Sequence, residues 1–382
     1  MSQELRIGLV TPWACPWVHG VLEGISEAVQ SHRSWAVRTA DPVDADVSRV
    51  LRWGCHGVMA NVATGALADE LAALNVPVVN FSGWLREPRF PTVKIDDRRV
   101  GALAAEHLLD LHLRHFAYWP GCSGALAALR GEGFFETLRH RGVPTGRLHT
   151  LAAPSGLAWK QRDRRLRAWL LSLPKPVGIL VSVDVQGYYL ADIAREAGLD
   201  IPNEIALLGV GNNATTCHLS VPSLSSIQLP TRRVGAAVVG MLDDLLSGRS
   251  APAEPVLLPP VGVIPRGSTD MLAIDDVHVV DAVRYIREHA GEGLSVNQVL
   301  DRVPLSRRTL EHRFETLFGR TPGEEIRRVR IERAKFVLLD SDAPMSEVAR
   351  RAGFSDAAYL ARVFRRETGL SPSRYRGRYR RM

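Results

Sequence analysis

Two short segments carry residues whose types and spacing suit the reading of a DNA duplex. Ser306-Arg307-Arg308-Thr309-Leu310-Glu311-His312-Arg313-Phe314 places Leu310, Phe314 and Leu317 on one helical face and turns Arg307, Arg308, Glu311 and His312 to the other. The stretch from Asp356 to Phe364 repeats the design, with Tyr359, Leu360, Val363 and Phe364 apolar and Ala357, Ala358, Ala361 and Arg362 opposite. Arginine reads guanine through a pair of hydrogen bonds in the major groove, whereas alanine can touch a thymine methyl but carries no polar code. Direct readout is therefore expected from Arg308 and Arg362 more than from the alanines. Arg327, Arg365 and Arg366, together with Arg328, Arg374 and Arg376, are candidates for phosphate contacts, which set affinity and its salt dependence rather than sequence choice.

Catalytic chemistry has no comparable signature. No nucleophile elbow or phosphate loop is present, and Gly209-Val210-Gly211 lacks the third glycine and the helix-opening context of a dinucleotide fingerprint. The cysteines at 15, 55, 122 and 217 match no zinc spacing and read as reduced packing thiols. The histidines are scattered. An enzyme is not expected, nor is a metal or a cofactor.

The elements that must position the DNA-reading residues follow from caps and breaks. Ser306 is expected to cap the first recognition helix, which closes at Gly319. Thr321-Pro322 starts a connecting helix running to about Asp340, since proline fits the first helical turn. Ser346 is expected to cap a short helix, Gly353 to make the turn, and Asp356 to lie near the start of the second recognition helix. A short helix, a tight turn and an arginine-bearing second helix form a major-groove device, and this chain has two.

The segment 1–270 reads differently. β-branched runs such as Leu5–Val10, Gly57–Asn61, Val177–Val181 and Ala206–Val210 alternate with amphipathic helical stretches such as 18–30, 98–111, 125–141 and 232–246. That alternation implies parallel sheets covered on both faces. The length suits two doubly wound lobes, with a ligand at the carboxyl ends of the strands. The expected architecture is thus a bilobed α/β domain of two parallel sheets over 1–270, a linker at 271–277, and an all-α domain with two helix-turn-helix units over 278–382. After the first strand, Trp13 and Trp17 could stack on the apolar face of a sugar.

Charge divides the same way. From Met271 to Met382 there are 22 Lys and Arg against 16 Asp and Glu, leaving a net of +1 for Met1 to Asp270 out of +7 in all. Between Arg350 and Met382, ten arginines face only Asp356 and Glu367. This predicts a polyanion partner for the C-terminal end alone. No apolar run approaches the about 18 residues of a membrane span, and the first residues lack a secretory pattern. No membrane association is expected, and the cytoplasm is the expected compartment.

Residues from about 278 to 376 resemble the AraC/XylS-type DNA-binding domain. The likeness rests on Ser306, Leu310, Phe314 and Gly319; on Arg330, Ala334 and Leu338; on Ala349, Gly353 and Phe354; and on Tyr359, Arg362, Phe364, Gly369, Pro372 and Tyr375. It implies that both recognition helices enter successive major-groove segments of double-stranded DNA, and it favours activation. The segment 1–270 resembles the sugar-binding core of LacI/GalR-type repressors, itself similar to periplasmic binding proteins, through Ile95-Asp96-Asp97 and Gly101, Arg130-Gly131-Glu132-Gly133-Phe134, Asp184 and Gly187, and Gly198 to Gly209. This second resemblance implies a small-molecule effector, a sugar above all, and a homodimer. It assigns Arg130 to sugar hydroxyls and Asp96 and Asp184 to the cleft edge, with Asn212 in the loop after a strand end. Val18 and Gly211 stand where such sugar sensors place acidic residues, so the pocket is expected to be altered.

Overall fold

The computed structural model describes residues 4–31, 34–42, 47–152 and 159–380. The chain divides into two compact units, Met1–Met271 and Leu272–Met382.

The first unit begins with β1 (Leu5–Val10), α1 (Pro16–Val29), β2 (Trp35–Ala40), α2 (Val47–Leu51) and β3 (Gly57–Ala60). It continues through α3 (Gly65–Ala72), β4 (Val78–Asn80) and β5 (Val93–Ile95). The sheet order is β2-β1-β3-β4, all parallel, and a parallel bridge from Asn80 to Thr92 leads on to β5. The chain then crosses to a second lobe: α4 (Asp97–Leu109), β6 (His115–Trp119), α5 (Ala125–His140), β7 (Leu148–Thr150) and α6 (Trp159–Ser172). The second lobe goes on with β8 (Val177–Val181), α7 (Asp184–Glu196), β9 (Ile205–Gly211), α8 (Ala214–Leu219) and β10 (Ser225–Gln228). Next α9 (Thr231–Leu246) and β11 (Val256–Leu258) return to the first lobe, where β11 pairs with β5. Finally β12 (Gly262–Ile264) goes back to the second.

The second sheet runs β12-β10-β9-β8-β6-β7 and is parallel except for β12, which pairs antiparallel with β10 at the edge. The expected parallel sheet thus carries one reversed edge strand, a common finish for doubly wound sheets. The three crossings between lobes are tied together: Asp96 N donates to Leu258 O at 2.9 Å, and Val261 N to Gln228 O at 2.9 Å.

Glycine lets the covering helices approach. An added Cβ on Gly101 of α4 would lie 2.0 Å from the carbonyl oxygen of Arg130, and one on Gly235 of α9 would lie 2.2 Å from that of Val21. The α4–α5 and α1–α9 pairs therefore pack backbone to backbone.

The second unit is helical: α10 (Val277–His289), α11 (Val296–Leu300), α12 (Arg307–Phe318), α13 (Pro322–Asp340), α14 (Met345–Ala352), α15 (Ala357–Thr368) and α16 (Pro372–Arg380). Two cores flank α13. Val279, Val283, Ile286, Leu310, Phe314 and Ile326 form one; Ile331, Leu338, Val348, Leu360, Val363 and Phe364 form the other. Leu272 packs on the first core and Asp276 caps α10, so most of the segment expected as linker is bound into this unit.

Candidate functional site

The DNA-facing residues are built by caps, cores and left-handed stops. Ser306 Oγ accepts from Thr309 N at 3.2 Å and starts α12; Gly319 ends it at φ +64°. Asp356 Oδ1 accepts from Tyr359 N at 2.7 Å and starts α15; Gly369 ends it at φ +74°. Thr321 and Glu324 form a capping box on α13. Ser346 does not cap α14: that helix opens at Met345 behind Pro344, which has no side-chain cap bond, so Ser346 lies inside the first turn. Gly353 makes the turn between α14 and α15 at φ +82°, with an ideal Cβ only 2.1 Å from Ala290 O. Any side chain there would meet backbone.

With Leu310, Phe314, Leu360, Val363 and Phe364 buried, the opposite faces look outward. Arg307, Arg308 and His312 are exposed, and Glu311 is half-buried with its carboxylate 3.6 Å from Arg307 Nε. On α15, Ala358 and Arg362 are exposed while Ala357 and Ala361 are half-buried. The Arg362 guanidinium lies 5.2 Å from the Tyr359 ring centre, which orients it.

The arginines outside these faces separate into two groups. Arg327 and Arg366 line one cavity of about 360 Å³, with Arg320, Arg328, Glu324 and Glu367. Arg365 is exposed. Others have structural work: Arg376 donates to Ala343 O at 2.6 Å, and Arg330 donates to Ala290 O and Leu294 O at 2.9 and 2.7 Å. Arg328 and Arg320 hold Glu325, which is 2% exposed, at 2.8 and 2.5 Å. Burial pushes the Glu325 carboxyl up, but bonds and charge from Arg328 and Arg320 outweigh it and bring its pKa down to about 2.

In the sensor unit the expected residues gather near the carboxyl ends of the strands. The close α4–α5 approach brings Arg130, 4% exposed, to Asp97, with Nε 2.8 Å from Oδ1. Another guanidinium nitrogen donates to Ser182 O, at the end of β8. The third, Nη2, has no partner among the described residues. Burial pushes the Asp97 carboxyl up while Arg130 beside it pulls it down, and burial prevails. Asp96, the neighbour singled out from sequence, instead caps α4 by accepting from Arg99 N at 3.0 Å.

Asp184 and Asn212 are spent on internal bonds. Asp184 accepts from Ser226 Oγ at 2.5 Å and from Asn213 N at 2.7 Å, and burial pushes its carboxyl up. Asn212 bonds Gln228 and accepts from Arg266 at 2.6 Å. Gly211 sits at φ +126°, and an ideal Cβ would be 3.1 Å from Asp184 Oδ2. An acidic side chain at Gly211 would meet both strain and like charge.

In the first lobe Trp17 is half-buried and packs edge-on against Phe81, ring centres 6.4 Å apart, whereas Trp13 is 44% exposed. Val18 is fully buried. Two residues missed by sequence reasoning stand at strand ends here. Thr11 follows β1 and Asn61 follows β3, and Thr11 Oγ1 and Asn61 Oδ1 are buried with no hydrogen-bond partner. Such orphans are rare and call for an explanation. Their signal was position alone: each is the first polar residue after an apolar strand.

Together these features define a class: a two-helix-turn-helix DNA-binding unit joined to a bilobed, binding-protein-like sensor. A model of the periplasmic binding protein-like domain matches residues 105–269, and a helix-turn-helix domain model matches residues 299–378. The chain is 30% identical over 367 residues to the xylose operon regulatory protein of Escherichia coli K12, covering 93% of each. The solved xylose-binding transcription activator xylR is similar at TM-score 0.63 and 26% identity, covering 98% of both chains. A LacI family regulator from Enterococcus faecium shares the sensor fold at TM-score 0.57 and 22% identity, over 71% of this chain and all of that one. The chain belongs to the family of the xylose operon regulatory proteins, transcription regulators with an AraC-type DNA-binding domain.

Proposed function

We propose that the protein is a cytoplasmic, homodimeric, non-enzymatic transcription activator whose sensor unit binds a small neutral sugar. The observation that carries the effector class is the Arg130 guanidinium, held by Asp97 and Ser182 at the strand ends with Nη2 left over for a hydroxyl. Full-length similarity to a xylose-binding activator supports the same reading. Trp17 and Phe81 supply the aromatic wall, and Thr11 Oγ1 and Asn61 Oδ1 are acceptors a bound hydroxyl could satisfy as the lobes close. Val18 and Gly211 remove acidic acceptors, so the preferred sugar is xylose-like in size and differs in the hydroxyls it presents. Readout of the operator falls to Arg308 and Arg362, with Arg307, Glu311, His312 and the alanines 357, 358 and 361 shaping the two faces. Arg327, Arg365 and Arg366 hold phosphates. Effector binding shifts the population of conformers in which a dimer presents its four helix-turn-helix units to DNA.

A thermal-shift screen with pentoses, hexoses and sugar acids tests the effector. One sugar is expected to raise Tm, and Thr11→Val is expected to abolish that rise without lowering the unliganded Tm, because the hydroxyl it removes is buried with no internal partner. No shift with any sugar overturns the reading.

A further inference from the structure

The chain's basic excess is not confined to its C-terminal unit. Between Arg139 and Arg167 the sensor unit carries eight Lys and Arg against Asp163 alone. The near-neutral stretch from Met1 to Asp270 therefore divides into this segment, at net +7, and a remainder at net −6. The segment passes through β7, the edge strand of the second sheet, to α6.

Helix α6 buries Leu166 and Leu170 in the lobe's core, with Trp169 packed beside them. Its outer face carries Arg164 and Arg167, one turn apart, and Arg165 next to them, all exposed. Asp163, the helix's own acidic residue, accepts from the Tyr189 hydroxyl, and Arg162 lies over the Tyr189 ring at 4.8 Å. Arg164, Arg165 and Arg167 have no acidic partner among the described residues. Several exposed arginines elsewhere in the same unit are matched: Arg86 and Arg98 with Glu132, Arg99 with Glu106, Arg232 with Glu23, Arg249 with Asp244. Like charges three residues apart repel along a helix, and cations near its N-terminal half oppose its dipole. The helix thus holds an arrangement that lowers its own stability and that an external polyanion would relieve.

We infer that this face of α6 is a second duplex contact, holding backbone phosphates of DNA that flanks the bases read by α12 and α15. Guanidinium groups match phosphate geometry. Among the described side chains of α6 the one large exposed apolar residue, Leu171, offers too little apolar area for the centre of a protein interface. The same chain already holds a duplex through its other unit, so the required polyanion is at hand. The contact is independent of sequence and adds to the recognition described above.

Full-length protein is titrated over a range of salt with two operator duplexes, one ending at the bases covered by the helix-turn-helix units and one extended on both sides. The variant R164Q/R165Q/R167Q is expected to match the wild type on the short duplex. On the long one its plot of log affinity against log salt should be shallower by about 2 to 3, close to 0.9 for each phosphate lost. R164K/R165K/R167K should keep the wild-type slope, because counterion release follows charge rather than guanidinium geometry. Equal slopes for wild type and the Gln variant on the long duplex overturn the inference, as does an equal loss on the short duplex. So does a Gln variant that keeps its long-duplex slope while losing affinity for polyglutamate, which would assign the face to an acidic protein. Failure of the recognition helices would abolish binding to both duplexes and is distinguished on that ground.

Discussion

At the scale of single residues, the arginines of the C-terminal unit do three different jobs, and composition alone does not separate them. Arg362 is exposed and steadied by Tyr359, so Arg362→Ala is expected to cost about 1–3 kcal/mol of specific binding and to relax preference at one base pair. Arg365→Ala should weaken binding to all sequences alike and lower the salt slope by about 1. Competition binding with single-base operator variants separates the two. Arg320 and Arg328 are committed to Glu325. Because that carboxyl is depressed to about 2 from an ordinary value of 4.5, its contribution is fully present above about pH 4.5 and is lost as pH falls toward 2. The shift corresponds to about 3 kcal/mol. Glu325→Gln is expected to remove that acid sensitivity and to lower stability at neutral pH, read by chemical denaturation. The recognition faces were legible because apolar spacing fixes which side is buried. The choice between Asp96 and Asp97 was not, since it depends on how α4 meets α5.

At the scale of elements, the sequence motif Arg130-Gly131-Glu132-Gly133-Phe134 and the pair Asp97 and Gly101 turn out to describe one helix packing. Gly101 admits the Arg130 carbonyl, and that approach is what sets the guanidinium beside Asp97 and the end of β8. Gly101→Ala is expected to lower Tm through overpacking of about 1–3 kcal/mol and to erase the effector-induced rise, while operator binding by the other unit persists. Thermal shift and duplex titration on the same sample check this; an intact effector response would dissociate the packing from the site. Most of the longer strands and helices of the sensor were readable by period, β2 and α6 excepted. The short ones, β5, β7, β10, β11 and β12, were not, because three or four residues carry too little pattern and owe their state to neighbours. Helix α6 escaped notice for the opposite reason: its arginines mask its apolar face.

At the scale of the whole molecule, two units with separate cores should unfold separately. All eight tryptophans precede residue 170. Tryptophan emission therefore follows the sensor alone, while far-ultraviolet circular dichroism follows both. Acid titration toward pH 2 is expected to lose helical signal from the second unit that tryptophan emission does not accompany; coincident curves would show one cooperative unit. The net charge of the sensor unit, so close to zero, concealed a strongly polar distribution, because a sum over a folded unit says nothing about which face carries which sign.

The threefold crossing between lobes has a consequence for the order in which the molecule comes into being on the ribosome. The first lobe cannot be finished from its own leading segment: α9 packs on α1 and β11 pairs with β5, and both lie beyond nearly the whole of the second lobe in the chain. The opening strands must wait, incomplete, until Leu258 has emerged. The helix-turn-helix unit is one unbroken stretch that follows the sensor in the chain. A nascent chain therefore gains its grip on the genome only after the apparatus that governs that grip has been fully synthesised, and a chain truncated by premature termination would fail silently rather than occupy an operator it cannot release.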